Sequence, residues 1–421
     1  MKTKSLIKIE VIITFLLLLN YMGGLGIQRP LGIEDLYVLD RGNLIEKMMA
    51  ILAYLLIPLL ITRKWKLCIY LLTKDIPLIL LLLLANFSII WSDANLNNNL
   101  SSLRGLLLST MLGVYLAARF SIREQTRLLA GVFSIVILSS IFAALFLPGY
   151  GIHPASGNLT GWTGIFPHKN LLGGHMAWSA AAFLSLSLGI SQNSLVRLAL
   201  WTGFALSSML VFLAGSAGGI INLVCMILIV PLSKFLKKTY YKIQVLLIVS
   251  VALLIIGSST LIVANSETIA HSLGKDLTFS GRVPMWSTLI DYIAQKPLLG
   301  YGFNGFWNSE YGQMFRSRWV WKTVPHSHNG FIELLLALGL IGFLLFTVSF
   351  ILLFIRAYKH LYEAKSLEDV FPLQFLITFL LANLSESRLL IANNIYWIIY
   401  VSMSLSLAIK HRQERKLIII E

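Results

Sequence analysis

Long apolar runs separated by short polar connections recur along almost the whole chain. A transmembrane helix needs about 20 mainly apolar residues, and polar flanks can complete a shorter apolar core. The pattern therefore predicts an all-α integral membrane protein with about twelve transmembrane helices. The predicted apolar cores are Val11–Ile27, Ile45–Ile61, Ile76–Trp91, Leu103–Ala118, Leu128–Leu147, Leu171–Ile190, Leu198–Leu213, Ala217–Leu232, Ile243–Ala264, Phe331–Ile355, Phe371–Leu384 and Ile391–Ile409.

The connection between the ninth and tenth predicted helices, residues 265–329, is long and rich in Trp, Tyr, Gly and His. Apolar residues at helical spacing from Met285 to Ile293 predict an amphipathic helix at the membrane interface. Long loops are usually functional or disordered, and this one is too aromatic for disorder. We divide the chain into helices 1–9 (residues 1–264), this long loop (265–329), helices 10–12 (330–409) and a basic tail (410–421).

The composition supports a protein that is solvated by lipid. The chain has 57% hydrophobic and 13% charged residues and a mean hydropathy of +0.78, whereas a soluble domain carries about 25% charged residues. The net charge of +15 comes from basic clusters between apolar runs, a pattern that orients helices rather than binding nucleic acid. With two cysteines and no CxxC pair, a disulfide framework is excluded.

The basic residues also predict the topology. If the N-terminus is cytoplasmic, most of the 34 Lys and Arg residues fall on the cytoplasmic side, as the positive-inside rule requires. An even number of helices then places both termini in the cytoplasm and residues 265–329 on the opposite side. We expect the N-terminal apolar run to be retained as the first helix.

The sequence His326-Ser327-His328-Asn329 stands where the long loop re-enters the membrane. Imidazole exchanges protons near neutral pH, which makes His328 a candidate general base and His326 its reserve. A helix that begins here would also favour an anionic ligand. The alternative is a pair of interfacial histidines without a role.

Arg282 is the third candidate catalytic residue, because its planar guanidinium matches phosphate oxygens. Ionisable residues near helix ends are candidates for substrate binding, since such residues tend to line cavities. Each of them could equally be a solvated charge at the interface. The candidate substrate-binding residues are Arg104, His168, Lys169, Asn170, Trp286, Asn329, Glu333, Glu386 and Arg388.

Two further motifs are rejected. Residues 300–305 match GxGxxG but follow no predicted strand, so they do not indicate a dinucleotide site. His326 and His328 could bind a metal, but the sequence offers no convincing third and fourth ligands. We therefore predict neither a metal nor a cofactor.

Several segments together resemble the O-antigen ligase and Wzy polymerase superfamily, and within it the ExoQ-type exopolysaccharide polymerases. The ligase signature is met by His328-Asn329 followed by Gly339 and Gly342. Gly164–Asn170 is similar to an ExoQ-type segment. Further similar stretches are Lys275–Trp286, Pro297–Gly302 and the closing residues Glu386, Asn394 and Trp397. One departure is Gly215–Gly219, where many relatives carry Ser-Arg; Lys169 is a candidate replacement for that Arg.

The resemblance implies a glycosyltransferase of the outer face of the cytoplasmic membrane that uses no metal. The donor would be an undecaprenyl-pyrophosphate-linked glycan, and the acceptor a second lipid-linked repeat unit. His328 would deprotonate the acceptor hydroxyl, and Arg282 with Lys169 or Arg104 would stabilise the departing pyrophosphate. Membrane lipid and a chain-length regulator are the other expected partners.

Two other functions stay open. An O-antigen ligase would use the same chemistry to transfer finished glycan to lipid A or another acceptor. A small-solute transporter would suit twelve helices, but it should carry broken helices with polar residues at mid-membrane. Here the polar residues collect at helix ends, which favours chemistry at the membrane surface. A scaffold would leave the His-Asn cluster unexplained.

Overall fold

The computed structural model of the protein describes residues 2–23, 44–152, 161–189, 193–238, 282–318, 326–364 and 366–409. The regular secondary structure of the described residues is helical, and their only β-structure is an isolated bridge between Ile152 and Trp162. The helices are α1 (Lys2–Tyr21), α2 (Leu44–Thr62), α3 (Trp65–Leu72), α4 (Ile76–Phe87), α5 (Leu96–Arg119), α6 (Ile122–Phe146), α7 (Pro148–Gly151), α8 (Lys169–Ser187), α9 (Ser194–Ala214), α10 (Ala217–Lys238), α11 (Arg282–Gln295), α12 (Glu310–Arg318), α13 (Gly330–Glu363), α14 (Phe371–Ser385) and α15 (Ile395–Ala408), with short 3₁₀ turns at Ser88–Ile90 and Leu367–Val370.

Several helices begin where a short polar side chain can cap the free backbone amides. Asn95 accepts a hydrogen bond from Asn97 N at the start of α5. At the start of α6, Ser121 and Glu124 form a reciprocal capping box. Such a cap stabilises a helix by about 1 kcal/mol. The sequence therefore sets where these helices begin, independently of the apolar pattern.

Helix α8 lies at the centre of the fold and packs against α6, α9, α10 and α14. Nearly all its residues from His175 to Ser187 are buried. Trp178 of α8 stacks on Tyr396 of α15 with ring centroids 4.6 Å apart. A helix that is apolar all round belongs in the interior of a bundle, so α8 provides a rigid support for the residues at its N-terminus.

Six described helices are long and apolar enough to cross a membrane: α5, α6, α9, α10, α13 and the continuous helix Leu367–Ser385. The pair Trp65–Leu72 and Ile76–Ile90, bent by 97°, would be a seventh span. The all-α architecture with several candidate membrane spans is confirmed. The predicted core Ile243–Ala264 lies outside the described residues, and the number twelve stays a prediction, as do the topology and the domain limits.

Helix α13 is broken at Gly339, whose backbone is left-handed with φ 61° and ψ −161°. At the break, the backbone of α13 forms hydrogen bonds with the loop residues 297–301. Leu340 N donates to Pro297 O over 2.8 Å, and Tyr301 N donates to Leu336 O over 2.8 Å. A Cβ on Gly339 would stand 2.3 Å from the carbonyl carbon of Leu298. The close approach of two backbones therefore explains why this position of the chain is a glycine.

The described part of the long loop, residues 282–318, is folded, and we call it the loop module. The predicted amphipathic helix is present as α11. Its buried residues Met285 and Leu289 face protein, whereas Ile290 is 55% exposed. The location of α11 at a membrane interface therefore stays a prediction. One aromatic-rich cluster joins the module to α13 and comprises Met285, Leu289, Tyr292, Tyr301, Phe306, Trp307, Phe315 and Leu336.

The GxGxxG match also has a structural explanation. Gly300 (φ 63°) and Gly302 (φ 91°) have left-handed backbones. A Cβ on Gly300 would lie 2.5 Å from Leu336 O, and one on Gly302 would lie 2.6 Å from Ser92 Cβ. These glycines allow the loop module to approach its neighbours closely.

Candidate active site around His328 and Glu386

The turn before α13 holds His328 in an unusual conformation. His328 has φ 51°, a left-handed backbone that is uncommon for a residue other than glycine. Its N–H donates to Nδ1 of His326 over 3.1 Å. Asn329 caps α13, because its Oδ1 accepts from Phe331 N (3.0 Å) and Ile332 N (3.2 Å). The fixed turn determines where the His328 ring lies.

Two tryptophans and one carboxylate hold this turn from the side. Trp286 Nε1 of α11 donates to Ser327 O over 2.8 Å. Glu333 accepts from Ser327 N (3.0 Å) and from Trp307 Nε1 (2.5 Å). Trp286 and Glu333 were predicted to bind substrate, which stays a prediction. In the structure their polar atoms bind the protein itself and position the turn.

The carboxylate of Glu386, just after α14, joins three distant parts of the chain. Its Oε2 lies 3.2 Å from His328 Nδ1. Its Oε1 lies 3.2 Å from Asn170 Nδ2 and 3.3 Å from Arg282 Nη2. The Arg282 guanidinium also donates to the carbonyl of Ser385. The structure thus brings five predicted site residues into one cluster: Asn170, Arg282, His326, His328 and Glu386.

The protonation states in this cluster follow from burial and charge. Burial alone would raise the pKa of Glu386, but the hydrogen bond from His328 and the nearby charges of His328 and Arg388 hold that pKa well below its usual range. Burial, and then the neighbouring His328, lower the pKa of His326 to about 3. At neutral pH, Glu386 is therefore ionised and His326 is neutral.

An ionised carboxylate only accepts hydrogen bonds. Nδ1 of His328 must then carry the hydrogen that points to Glu386, and this fixes the tautomer of the neutral ring. In that neutral form of the ring, Nε2 carries the lone pair. The His328 side chain is 24% exposed, so the ring is partly accessible. This arrangement can take a proton from a bound hydroxyl group.

The cluster also contains a possible set of metal ligands. Ligand atoms of His326, His328 and Glu386 lie within 4.8 Å of one another. Glu386 is the third ligand that the sequence did not offer, because it lies 58 residues away along the chain. However, Nδ1 of His326 and Oε2 of Glu386 are already hydrogen-bonded, and Arg282 is ion-paired with the same carboxylate. The residues therefore fit a divalent cation poorly.

The other predicted site residues differ in position. His168 is exposed and caps α8, since its Nδ1 accepts from Asn170 N over 3.1 Å. Lys169 is half-buried, with its stem beside Gly161. Arg104 is exposed and donates to Leu100 O on its own helix; among the described residues it makes no contact with the cluster. Arg388 is buried and lies near the cluster.

Trp307 is a residue of the site that the sequence analysis missed. Its indole N–H holds Glu333, and its ring packs edge-to-face against Phe315, with centroids 5.6 Å apart. The only signal in the sequence is a tryptophan within a Gly- and aromatic-rich stretch, which does not identify its partner.

Comparisons with known proteins show what parts of the chain are similar to. Residues 202–347 match the family model described as "O-Antigen ligase". A stretch of 102 residues, 23% of the chain, is 30% identical to the exopolysaccharide production protein ExoQ of Rhizobium meliloti and covers 23% of that protein. A stretch of 204 residues, 46% of the chain, is 26% identical to a putative polysaccharide ligase of Rickettsia conorii and covers 44% of it.

The matches span less than half the length of either curated relative. The matched family segment contains Arg282, His326, His328 and Glu333, whereas Asn170, Glu386 and Arg388 lie outside it. The apolar helices and the family match together indicate an integral membrane protein. Through residues 202–347, the resemblance of this chain to the O-antigen ligase family is confirmed.

Proposed function

We propose that this protein is a glycosyltransferase that joins lipid-linked oligosaccharide repeat units into a polysaccharide. The observation that carries the proposal is the contact of 3.2 Å between His328 Nδ1 and the carboxylate of Glu386. This contact prepares a base beside the basic side chain of Arg282. The donor would be a glycan on undecaprenyl pyrophosphate, at the outer face of the cytoplasmic membrane.

The reaction is a displacement at the anomeric carbon of the donor sugar. Nε2 of His328 accepts the proton of the acceptor hydroxyl group while its oxygen forms the new glycosidic bond. The bond between the anomeric carbon and the phosphate oxygen breaks, and its electron pair leaves with the lipid pyrophosphate. Glu386 stabilises the imidazolium that forms, and Arg282 stabilises the leaving phosphate.

Two observations favour a glycosyltransferase over a transporter. The described polar residues of the cluster stand at the ends of helices α8, α13 and α14 rather than along their middles. One partly similar protein is named for exopolysaccharide production and the other as a putative polysaccharide ligase. A carrier would instead need polar sites at mid-membrane.

The second candidate is a ligase that transfers finished glycan to lipid A or another acceptor. The description of the matched family and the name of the Rickettsia relative favour it. Both reactions use the same donor and the same base, so they differ only in the acceptor hydroxyl. The ExoQ-type segments around Gly164–Asn170 favour polymerisation.

Reconstitution tests the proposal directly. Purified protein in detergent or liposomes is incubated with an undecaprenyl-pyrophosphate-linked repeat unit, and the glycans are separated by size. We expect a ladder of longer lipid-linked glycans with wild-type protein and none with His328→Gln. A single transfer to added lipid A, without a ladder, would identify the ligase. Donor that remains unchanged with every acceptor would contradict both enzymes.

A further inference from the structure

Helices α4 and α13 pack against each other, and each leaves one apolar face uncovered by the described residues. The exposed face of α4 and its 3₁₀ turn comprises Ile76, Leu80, Leu83, Phe87 and Ile90, and that of α13 comprises Leu340, Leu344, Val348, Ile351 and Ile355. In both sets the intervals are three or four positions, which is the spacing of one helix face. Since both helices belong to candidate membrane spans, we call these faces the lipid-facing stripes.

Two leucines of the loop module lie between the ends of the two stripes. The carbonyl of Leu299 accepts a hydrogen bond from Trp91 Nε1, next to Ile90, over 3.3 Å. The carbonyl of Leu298 accepts from Ile341 N over 3.2 Å. The side chains are turned outward, since Leu298 is 59% exposed and Leu299 is 40% exposed. The loop module therefore extends an apolar surface that two membrane helices begin.

The main chain of this turn is bonded to protein, although its side chains are not covered. All three carbonyls of residues 297–299 accept hydrogen bonds, and their donors are Leu340 N, Ile341 N and Trp91 Nε1, in that order. Pro297 has no N–H group to satisfy. Irregular backbone is tolerated at membrane depth only where protein satisfies its polar groups. The pairing of these carbonyls meets that condition.

The break in α13 provides the partners for this turn. In a regular helix, Leu340 N would donate to Leu336 O, four residues earlier. The left-handed backbone of Gly339 separates the two groups. Leu336 O accepts from Tyr301 N instead, and Leu340 N donates to the loop. The interruption thus exchanges hydrogen bonds within the helix for hydrogen bonds to the loop module.

The lengths of the two helices give the depth of the turn. At the far end of the stripes, Arg356 of α13 lies 3.6 Å from Asp75, which caps α4. Charged groups are costly within hydrocarbon, so this ion pair marks one edge of it. Trp91 follows Asp75 by 16 positions, and Arg356 follows Leu340 by 16 positions. That is about 24 Å of helix, whereas the hydrocarbon core is about 30 Å thick, so residues 298–299 lie inside it.

A polar boundary lies directly beside the two leucines. Lys296 Nζ pairs with Asp93 over 2.6 Å, and both side chains are partly exposed. The same ammonium group lies 4.8 Å from the centroid of the Tyr301 ring. Trp and Tyr are enriched where the hydrocarbon ends, and a lysine there can direct its charge to water. The step from Leu298 to Lys296 therefore has the polarity profile of a membrane interface.

We propose that Leu298 and Leu299 are immersed in the hydrocarbon of the bilayer and anchor the loop module there, with lipid acyl chains as their partner. The inference does not depend on the proposed function. It has a consequence for the candidate base, because residues 330–338 extend about 14 Å from the break to the turn that holds His328. His328 then stands at the level of the lipid headgroups, which occupy roughly 5–8 Å beyond the hydrocarbon.

Spin labelling of the full-length protein in liposomes tests the anchor. With Cys68 and Cys225 replaced by Ala, Leu298→Cys is labelled with a nitroxide, and its collisions with oxygen and with a water-soluble nickel chelate are measured by electron paramagnetic resonance. The controls are Leu344→Cys in the stripe of α13 and Gln313→Cys at an exposed position of α12. We expect Leu298→Cys to resemble Leu344→Cys. Its label should meet the nickel chelate at least ~5-fold less often than that of Gln313→Cys, since polar solutes are excluded from hydrocarbon.

Two results would overturn the proposal. A label at Leu298→Cys that meets the nickel chelate as often as the label at Gln313→Cys would show that the turn faces water. A label that neither reagent reaches would show that another part of the chain or a second copy covers the leucines. Leu299→Cys repeats the measurement at a neighbouring position if size-exclusion chromatography shows that Leu298→Cys is not folded. The readout is position in the bilayer, so failure of the proposed function would leave it unchanged.

Discussion

His328 and Glu386 meet through a single contact of 3.2 Å between Nδ1 and Oε2. The other carboxylate oxygen of Glu386 is engaged by Asn170 and Arg282. The carboxylate therefore cannot turn away without breaking contacts to α8 and α11. The His328 ring is held in one orientation and one tautomer, which is how a carboxylate prepares a histidine base in other enzymes.

Replacing Glu386 by Gln tests this relationship. The Gln amide would present either an N–H group to Nδ1, which favours the wrong tautomer, or an oxygen to Nδ1 at the expense of Arg282. We expect kcat to fall by about 10²–10⁴ with little change in KM. Glu386→Asp should recover part of the rate. The matched control is Glu310→Gln, since Glu310 is exposed at the start of α12. An equal loss of kcat in both variants would contradict the role of Glu386.

The two histidines should differ in effect. His328→Gln removes the proposed base, and we expect about 10²–10⁴-fold less polymer per unit of protein in the membrane. His326→Gln should cost less, because a Gln oxygen can replace Nδ1 as the acceptor for His328 N. Rates from purified variants and immunoblots of membranes provide the comparison. A larger loss from His326→Gln than from His328→Gln would reverse the assignment.

His326 also predicts how stability depends on pH. Its pKa is lowered on folding from 6.5 to about 3, so between these values the unfolded chain binds the proton and the folded protein does not. The contribution of His326 is fully present above pH 6.5 and is lost as the pH falls through this window. We expect His326→Gln to unfold with a weaker dependence on pH between 6.5 and 4 than wild type.

Glu386 changes stability in the same direction, because its folded pKa lies below its usual value. Its contribution is present above the ordinary pKa of a glutamate and is lost at lower pH. Thermal unfolding measured across pH for wild type, His326→Gln and Glu386→Gln separates the two residues. Identical curves for wild type and His326→Gln would show that the histidine is not buried in its neutral form.

The break in α13 gives a prediction about folding. In Gly339→Ala, a methyl group would collide with the backbone of Leu298 in a left-handed conformation that alanine disfavours. We expect a strong loss of folded protein, measured by size-exclusion chromatography of detergent extracts. Gly149→Ala is the control, because a Cβ there meets nothing within 4 Å. Normal yield of Gly339→Ala would mean that residues 297–301 do not pack as described.

Removal of divalent cations tests the alternative that the cluster binds a metal ion. If His326, His328 and Glu386 act as a base with its supports, chelation of divalent cations with EDTA should leave the polymerisation rate of purified protein unchanged. A rate that falls with EDTA and recovers with one particular cation would indicate that these three residues bind a metal ion.

The sequence predicts the helical membrane fold well, because lipid solvation demands long apolar runs that are readable without any tertiary information. It also predicts α11, since Met285 and Leu289 repeat at helical spacing. The partners of Glu386 could not be predicted, because Asn170 and Arg282 are more than one hundred residues away from it and only packing brings them together. The burial of Arg388 is likewise a property of the folded state.

Segments that carry the motifs of the sequence meet in the structure, but the motifs do not show what each residue contacts. His328-Asn329 and Gly339 were singled out by spacing, and the structure adds a reason for each: a left-handed turn, a helix cap and a backbone crossing. Lys169 and Arg104 were considered for the leaving group because they are basic and near helix ends. The exposure of Arg104 and the burial of Arg388 could be learned only from three-dimensional coordinates.

The interruption at Gly339 divides α13 into two parts with different supports. At the break, Tyr301 N donates to Leu336 O, Leu340 N donates to Pro297 O and Ile341 N donates to Leu298 O, so this turn of the helix is tied to the loop module. The later part of α13 is tied to other parts of the bundle, since Ser349 bonds to Tyr400 of α15 and Arg356 donates to the carbonyl of Lys74. A tilt of the later part can therefore be absorbed at the break without displacing the turn that holds His328.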